Sequence, residues 1–213
     1  HPNIDILNTH SSTDAWLAAL ACVTLRHAPP IVRTRHVSTP VNNRAATRWL
    51  YQRATRHIVT AGEALRHQLI RANGFDAACI TSVPTGIDLT RYAPRDRAEA
   101  RRLLGLDLQR KYLGIVATLR NWKGHTYLLE AFAQLAPTHP GWDLVLVGDG
   151  PQRHNLEKLV GILNLENRVR LVGNRDDVER WLDAFDVFVL PSYGEEGVSQ
   201  SVMQAMATGL PVV

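Results

Sequence analysis

The chain has 213 residues, 45% of them hydrophobic and 21% charged, ordinary values for a folded protein of one large or two modest domains. No apolar run approaches the ~18 residues that a bilayer-spanning helix needs, and residues 1–10 lack the basic start and long apolar centre of a secretory leader. The net charge of +4 is uneven: residues 1–92 carry ten arginines against five acids (+5), and residues 93–213 carry fourteen basic residues against fifteen acids (−1). The basic first part suits an anionic partner such as a membrane surface, a phosphorylated lipid or a nucleic acid, or is a solvated arginine-rich face. Cys22 and Cys79 sit among apolar neighbours and read as buried free thiols of a reducing compartment.

Strand and helix signals alternate from the start. A short apolar strand is expected over 4–7, then a helix over 15–25 after the capping residues Ser11 to Asp14. Pro29 and Pro30 break the chain before a strand over 31–34. A helix over 43–53, a strand over 57–60 and a helix over 63–72 follow, the last stopped by Asn73-Gly74. A strand over 80–83 ends at Pro84-Thr85-Gly86, and 88–94 reads as a domain connection. After a charged helix over 96–104, strands are expected over 112–117, 143–147, 169–172 and 187–190. Helices over 126–135, 153–163, 178–184 and 200–208 alternate with them.

Such units argue for right-handed crossovers and parallel sheets. There are too many strands for one typical sheet, so two domains are expected, 1–92 and 93–213. Leu210-Pro211-Val212-Val213 begins a further strand, and no glycine-rich strand–helix turn precedes Ile4; both sheets are expected to be incomplete, as in an internal fragment.

The candidate chemistry lies where strands end. Ala117-Thr118-Leu119-Arg120-Asn121-Trp122-Lys123-Gly124-His125 follows a strand and opens a helix. Two cations and the N–H groups of a helix N-terminus there suit a diphosphate; the plainer reading is a solvated basic loop. Val147-Gly148-Asp149-Gly150-Pro151 is half of a dinucleotide fingerprint, but Arg153 stands where its third glycine would be, so it reads mainly as a tight turn. In Val172-Gly173-Asn174-Arg175-Asp176-Asp177, Arg175 is either a contact to a base edge or a surface arginine, and one of the two aspartates caps the next helix.

The last strand runs into Pro191-Ser192-Tyr193-Gly194-Glu195-Glu196-Gly197-Val198-Ser199 and then a helix. Acids and free N–H groups thus stand at the carboxyl end of a buried strand, where open α/β sheets bind ligands. Ser199 is a natural N-cap, leaving the N–H groups of Gln200, Ser201 and Val202 for phosphate. His10 follows the first strand. Arg33, Arg35 and His36 follow the second, and either meet an anionic ligand or are solvated. No Asp-x-Asp pair, Gly-Lys-Ser/Thr loop or zinc-spaced cysteine pair occurs, so no metal or cofactor is expected.

The segment from Pro191 to Val213, with Glu196-Gly197, Gln204-Ala205-Met206-Ala207, Gly209 and Pro211-Val212-Val213, resembles the signature of the retaining glycosyltransferases of family 4. So do the Arg120-to-Gly124 element, the Val147-to-Pro151 turn and the Pro84-to-Tyr92 hinge. The resemblance implies a GT-B fold of two Rossmann-like lobes, the first facing the acceptor and the second holding a nucleotide-sugar donor. It implies transfer of the sugar to an acceptor hydroxyl with retention, in glycan, lipopolysaccharide or glycolipid biosynthesis. This would occur in the cytoplasm or peripherally on the inner membrane face, with the fragment alone inactive.

By resemblance Glu196, with Glu195 as the alternative in a shifted register, orients the donor sugar, and His10 lies near the reacting carbon. Arg120 and Lys123 hold the diphosphate. Gly197, Ser199, Gln200, Ser201, Val202, Gln204 and Arg175 line the donor site, and Arg33, Arg35 and His36 face the acceptor. Gln204 stands where the family has glutamate. The rival readings are a nucleotide-sugar epimerase on the same scaffold and a binding module without turnover. A nucleic-acid binder fits poorly, because aromatic residues are only 7% and the arginines are scattered.

Overall fold

A computed structural model describes residues 4–194 and 198–213. The chain divides into two units, residues 4–86 with Val198, and residues 87–194 with 199–213. Each is a four-stranded, all-parallel α/β unit.

The first unit runs β1 (Leu7–Thr9), α1 (Ser12–Val23), β2 (Ile31–Arg35), α2 (Ala45–Trp49), β3 (Thr55–Thr60), α3 (Glu63–Asn73) and β4 (Ile80–Ser82). Its strands lie in the order β1-β2-β3-β4. The first strand begins three residues later than the sequence suggests, and Ile4 and Ile6 are exposed. The register places Leu7, Asn8 and Thr9 beside Ile31, Val32 and Arg33, so the apolar residues before Leu7 have no ladder partner among the described residues. The helix expected over 43–53 is α2 plus a π-helical turn, Leu50–Ala54. Leu50 and Tyr51, in that turn, are both buried. Gly74 ends α3 in the left-handed conformation, as the Asn-Gly stop implies. The core holds Ala15, Ala19, Ile31, Leu50, Tyr51, Ile58, Leu69, Phe75 and Ile80. Both cysteines are free, but Cys22 is half-buried and Cys79 exposed; apolar neighbours in sequence do not bury a residue at the rim of a sheet.

The second unit runs α4 (Arg97–Leu103), β5 (Lys111–Val116), α5 (His125–Leu135), β6 (Trp142–Val147), α6 (Arg153–Ile162), β7 (Val169–Gly173), α7 (Val178–Ala184), β8 (Val187–Phe188) and α8 (Gln200–Ala207). The order β7-β6-β5-β8 reverses direction between β5 and β8. The sheet is buried on both faces, which explains its near-continuous apolar strands. Tyr112, Val145, Val147 and Phe188 face α7 and α8, packing with Trp181, Leu182, Phe185 and Ala205. Ile115, Leu144 and Leu146 face α5 and α6, packing with Leu129, Phe132, Leu156 and Val160. Gly114 admits the Phe185 ring, since a Cβ there would lie 1.9 Å from it.

Residues 87–92, assigned by sequence to the first domain, pack in the second unit: Tyr92 is buried in its core and Ile87 lies against it. Val212 bridges Phe188 in parallel, so the final residues do begin a strand position beside β8. Met206 is exposed on α8. Among the described residues no helix is long and apolar enough to cross a membrane.

Candidate functional site

In the second unit, the strand order reverses between β5 and β8, and the carboxyl side of such a switch point is where open α/β sheets bind ligands. The loop after β5 is fixed by backbone contacts. Leu119, fully buried, donates its N–H to the Asp149 carbonyl at 3.0 Å, and the Gln152 N–H donates to the Leu119 carbonyl at 3.0 Å. The Gly-Asp-Gly turn makes room for that loop. A Cβ at Gly148, whose φ is +137°, would stand 2.0 Å from the Ala117 carbonyl oxygen; one at Gly150 would stand 2.7 Å from that of Leu119. These glycines are therefore required by close backbone approach.

The loops after β5 and β8 are fastened together. Gly124, at φ +75°, passes so close to the post-β8 loop that a Cβ would lie 2.1 Å from the Pro191 carbonyl oxygen. The Tyr193 N–H donates to the Trp122 carbonyl at 3.0 Å, and Tyr193 meets Tyr127 edge-on at 5.6 Å. Arg120 is exposed with its guanidinium 5.1 Å from the Trp122 ring centre, and Lys123 is half-buried one turn before α5. Both cations thus stand on the loop that the post-β8 segment clasps. Glu195, Glu196 and Gly197, the centre of the sequence signature, lie outside the described residues.

Ser199 occupies the N-cap position of α8 with extended backbone, but its side chain does not cap. Its Oγ instead lies 3.2 Å from Ser201 Oγ. The first N–H groups of α8, at Gln200, Ser201 and Val202, therefore have no side-chain cap. Val202 turns its side chain toward the core, and Gln204 is half-buried one turn further on. A separate hollow of about 310 Å³ lies over the ends of β5, β6 and β7, lined by Ala117, Thr118, Gly148, Asp149, Asn174 and Arg175 among others. Arg175 lines this hollow while its Nε donates to Asp177 at 3.0 Å and its guanidinium lies 5.6 Å from the Trp181 ring centre. Asp177 stands at the N-cap of α7, yet its carboxylate serves Arg175 and Arg180 and makes no cap hydrogen bond.

One residue with no sequence role stands out. His125 opens α5, is 2% exposed, and neither ring nitrogen makes a hydrogen bond of ordinary geometry among the described residues, although the Arg120 backbone lies close enough to offset part of the effect of burial. Burial pulls its pKa down from 6.5 to about 4, so it is neutral at pH 7. Its place after Lys123-Gly124 was readable, but its burial was not.

In the first unit, His10, Arg33, Arg35 and His36 line one cavity of about 440 Å³ at the carboxyl ends of β1 and β2. His10 is held from below: its N–H donates to Asp14 Oδ2 at 2.9 Å, and Asp14 completes a capping box with Ser11 at the start of α1. The His10 N–H and the Ser11 hydroxyl and N–H hold the Asp14 carboxyl down at about 2. The His10 and His36 rings stack at 5.3 Å, with Nδ1 of His10 3.0 Å from Nε2 of His36. Arg33 and Arg35 are not solvated surface residues. They are 4% and 9% exposed, because alternate residues of β2 face inward. Arg35 donates to the Tyr51 hydroxyl at 3.0 Å, to Thr39 Oγ1 at 3.2 Å and to the Thr39 carbonyl; Arg33 lies 4.3 Å over the Tyr51 ring. Tyr51 and Thr39 carry no sequence signal for this role, since the chain folds them in from 16 and 4 residues away.

Comparison with known proteins follows the same division. Residues 110–213 match the family model described as glycosyl transferases group 1, and residues 1–91 match that of glycosyltransferase family 4. The chain belongs to the group 1, family 4 glycosyltransferases. Within that family it is 30% identical over 191 residues to a lipopolysaccharide core biosynthesis mannosyltransferase, LpsB, of Rhizobium meliloti, covering 85% of this chain and 52% of the relative. It is 31% identical over 234 residues to a D-inositol 3-phosphate glycosyltransferase of Mycolicibacterium gilvum, covering 98% of this chain and 50% of the relative. The chain thus spans about half the length of these curated relatives. Among solved structures, Anabaena HepE in complex with UDP-glucose matches with a TM-score of 0.82 at 25% identity, over 98% of this chain and 58% of that one. The two parallel-sheet units are those of GT-B glycosyltransferases.

Proposed function

We propose that the chain forms part of a retaining glycosyltransferase that moves a sugar from a nucleotide-diphosphate donor to an acceptor hydroxyl, in the assembly of a lipopolysaccharide or other glycan. The observation that carries the reading is the clasp between the loops after β5 and β8, which holds the segment bearing Arg120 and Lys123 against Pro191 and Tyr193, in the stretch of chain that leads into the uncapped helix α8.

As the glycosidic bond to the diphosphate breaks, charge builds on the leaving phosphate oxygen. Arg120 offers paired N–H donors and Lys123 a point charge to offset it, and both are in place before the reaction. The amides of Gln200, Ser201 and Val202 add oriented dipoles. Glu196, by the family signature, orients the sugar, and Gln204 meets the ribose with an amide that both donates and accepts. Arg175 with the hollow beside it receives the base. These cations do the work that a metal ion does in other nucleotide-sugar enzymes, so no metal is required. The first unit presents the acceptor, and the family signature gives His10 a role in the reaction.

The relatives carry the same reading, since one is named for mannosyl transfer in lipopolysaccharide core synthesis and the HepE structure holds UDP-glucose. A panel of UDP- and GDP-sugars is titrated against the chain by thermal shift, and transfer by the full reading frame is followed by proton NMR of the product anomer. Stabilisation by at least one nucleotide sugar, and a product with the donor's anomeric configuration, are expected. An inverted product or sugar epimerisation without acceptor overturns the reading.

A further inference from the structure

The cavity of the first unit carries more positive charge than a neutral sugar hydroxyl needs. Two guanidiniums, both at least nine-tenths buried, line it with two histidines; no aspartate or glutamate is in its lining, and the nearby Asp14 carboxylate is already bonded to the His10 and Ser11 N–H groups and the Ser11 hydroxyl. Arg33 Nη1 and Arg35 Nε have no hydrogen-bond partner among the described residues. A buried charge left short of partners is costly, and proteins normally satisfy it. Tyr51 supplies only a ring face to Arg33 and a hydroxyl to Arg35. Burial pulls the Arg33 guanidinium below its ordinary value, yet a guanidinium stays charged in any protein.

From this geometry we infer that the cavity is a phosphate site and that the acceptor of this enzyme carries a phosphoryl group, gripped by Arg33 and Arg35 with His10 and His36 at its mouth. Two fixed charges match a phosphomonoester, which bears a charge of about −1.5 to −2 at neutral pH. The spare N–H groups of two planar guanidiniums suit tetrahedral oxygens better than a single ammonium would. The histidine pair adds a directional donor, since two neutral imidazoles that share one hydrogen bond keep one ring N–H free. With Nδ1 of His10 and Nε2 of His36 bonded to each other, His10 Nε2 and His36 Nδ1 are the nitrogens left to meet a ligand. A neutral acceptor would leave the buried cations as they are. The inference rests on the glycosyltransferase reading for the word acceptor, but not for the site itself.

The test is isothermal titration of the chain carrying Arg120→Ala and Lys123→Ala, which removes the donor-side cations. The probes are inorganic phosphate, sn-glycerol 3-phosphate and glycerol. Glycerol 3-phosphate is expected to bind and glycerol not. Arg33→Gln is expected to weaken glycerol 3-phosphate by about 10-fold or more, the scale of a charge-assisted hydrogen bond. Because Arg33 is buried, the exposed His36→Asn serves as a second variant that leaves the core untouched, with a weakening of several-fold expected.

Equal affinity in the parent and in both variants overturns the site. Binding of inorganic phosphate without glycerol 3-phosphate overturns the acceptor assignment and makes the cavity a site for the free ion. Failure here with intact UDP-sugar binding and transfer sinks this inference alone. Failure of UDP-sugar binding with phosphate still bound sinks the functional reading and leaves the site standing.

Discussion

The two units share one plan, four parallel strands with helical crossovers, yet they build their sites by different means. In the second unit the site is made by backbone. Glycines at 124, 148 and 150 let three loops touch at distances that no side chain would allow, and the cations ride on the loops so fixed. In the first unit the site is made by side chains. Arg33 and Arg35 come from a buried strand, and the cavity around them is held by Tyr51, Thr39 and the capped start of α1. Backbone-built sites leave glycine signatures in a sequence. Side-chain-built sites leave only residues whose role depends on what folds over them.

The comparison can be broken most directly at the cations of the second unit. Arg120→Ala or Lys123→Ala is expected to lower kcat/KM by about 100- to 1,000-fold, the usual cost of losing one preorganised donor to a developing oxyanion. The melting temperature should hardly move, since neither side chain is in the core. A drop in stability equal to the drop in rate, read by steady-state kinetics beside calorimetry, would show that the loop and its cations cannot be separated.

The next effect belongs to the backbone. Gly124→Ala forces a Cβ against the Pro191 carbonyl at a left-handed φ. It is expected to cost about 2–4 kcal/mol by denaturant titration and to weaken donor binding with it. If Gly124→Ala matches the parent in both, the clasp is not what positions Arg120 and Lys123.

His125 gives the comparison a pH axis. Its folded-state pKa of about 4 lies below the ordinary 6.5, so between those values the unfolded chain binds more protons than the folded one. Stability from this group is therefore complete at pH 7 and falls as the pH drops from about 6.5 to about 4, by up to about 3 kcal/mol. His125→Leu should flatten that part of the pH–stability curve; an unchanged slope would mean that the ring is hydrated in solution.

The smallest effect tests the first unit's frame. Ser11→Ala removes half of the capping box and is expected to cost about 1 kcal/mol. Because Asp14 also holds the His10 N–H, the change should loosen His10, seen as a shifted imidazole NMR signal. A silent His10 spectrum would detach the histidine pair from the helix start.

Much of this was legible in the chain itself. The alternation of apolar runs with helical periods fixed the fold class, because a doubly covered parallel strand must be apolar throughout and a crossover helix on one face only. The glycine turns and the order of motifs marked the second unit's loops, since only glycine tolerates those close approaches. What tertiary structure alone decided was burial and partnership. Arg33 and Arg35 turned from possible surface charges into interior ones, His125 into a neutral buried ring, Arg175 into a partner of Asp177, and Tyr92 into core of the second unit rather than a linker. Local sequence sets which conformations a segment prefers, but the solvent exposure of a side chain is a sum over residues distant in the chain, and that sum exists only once the chain has folded.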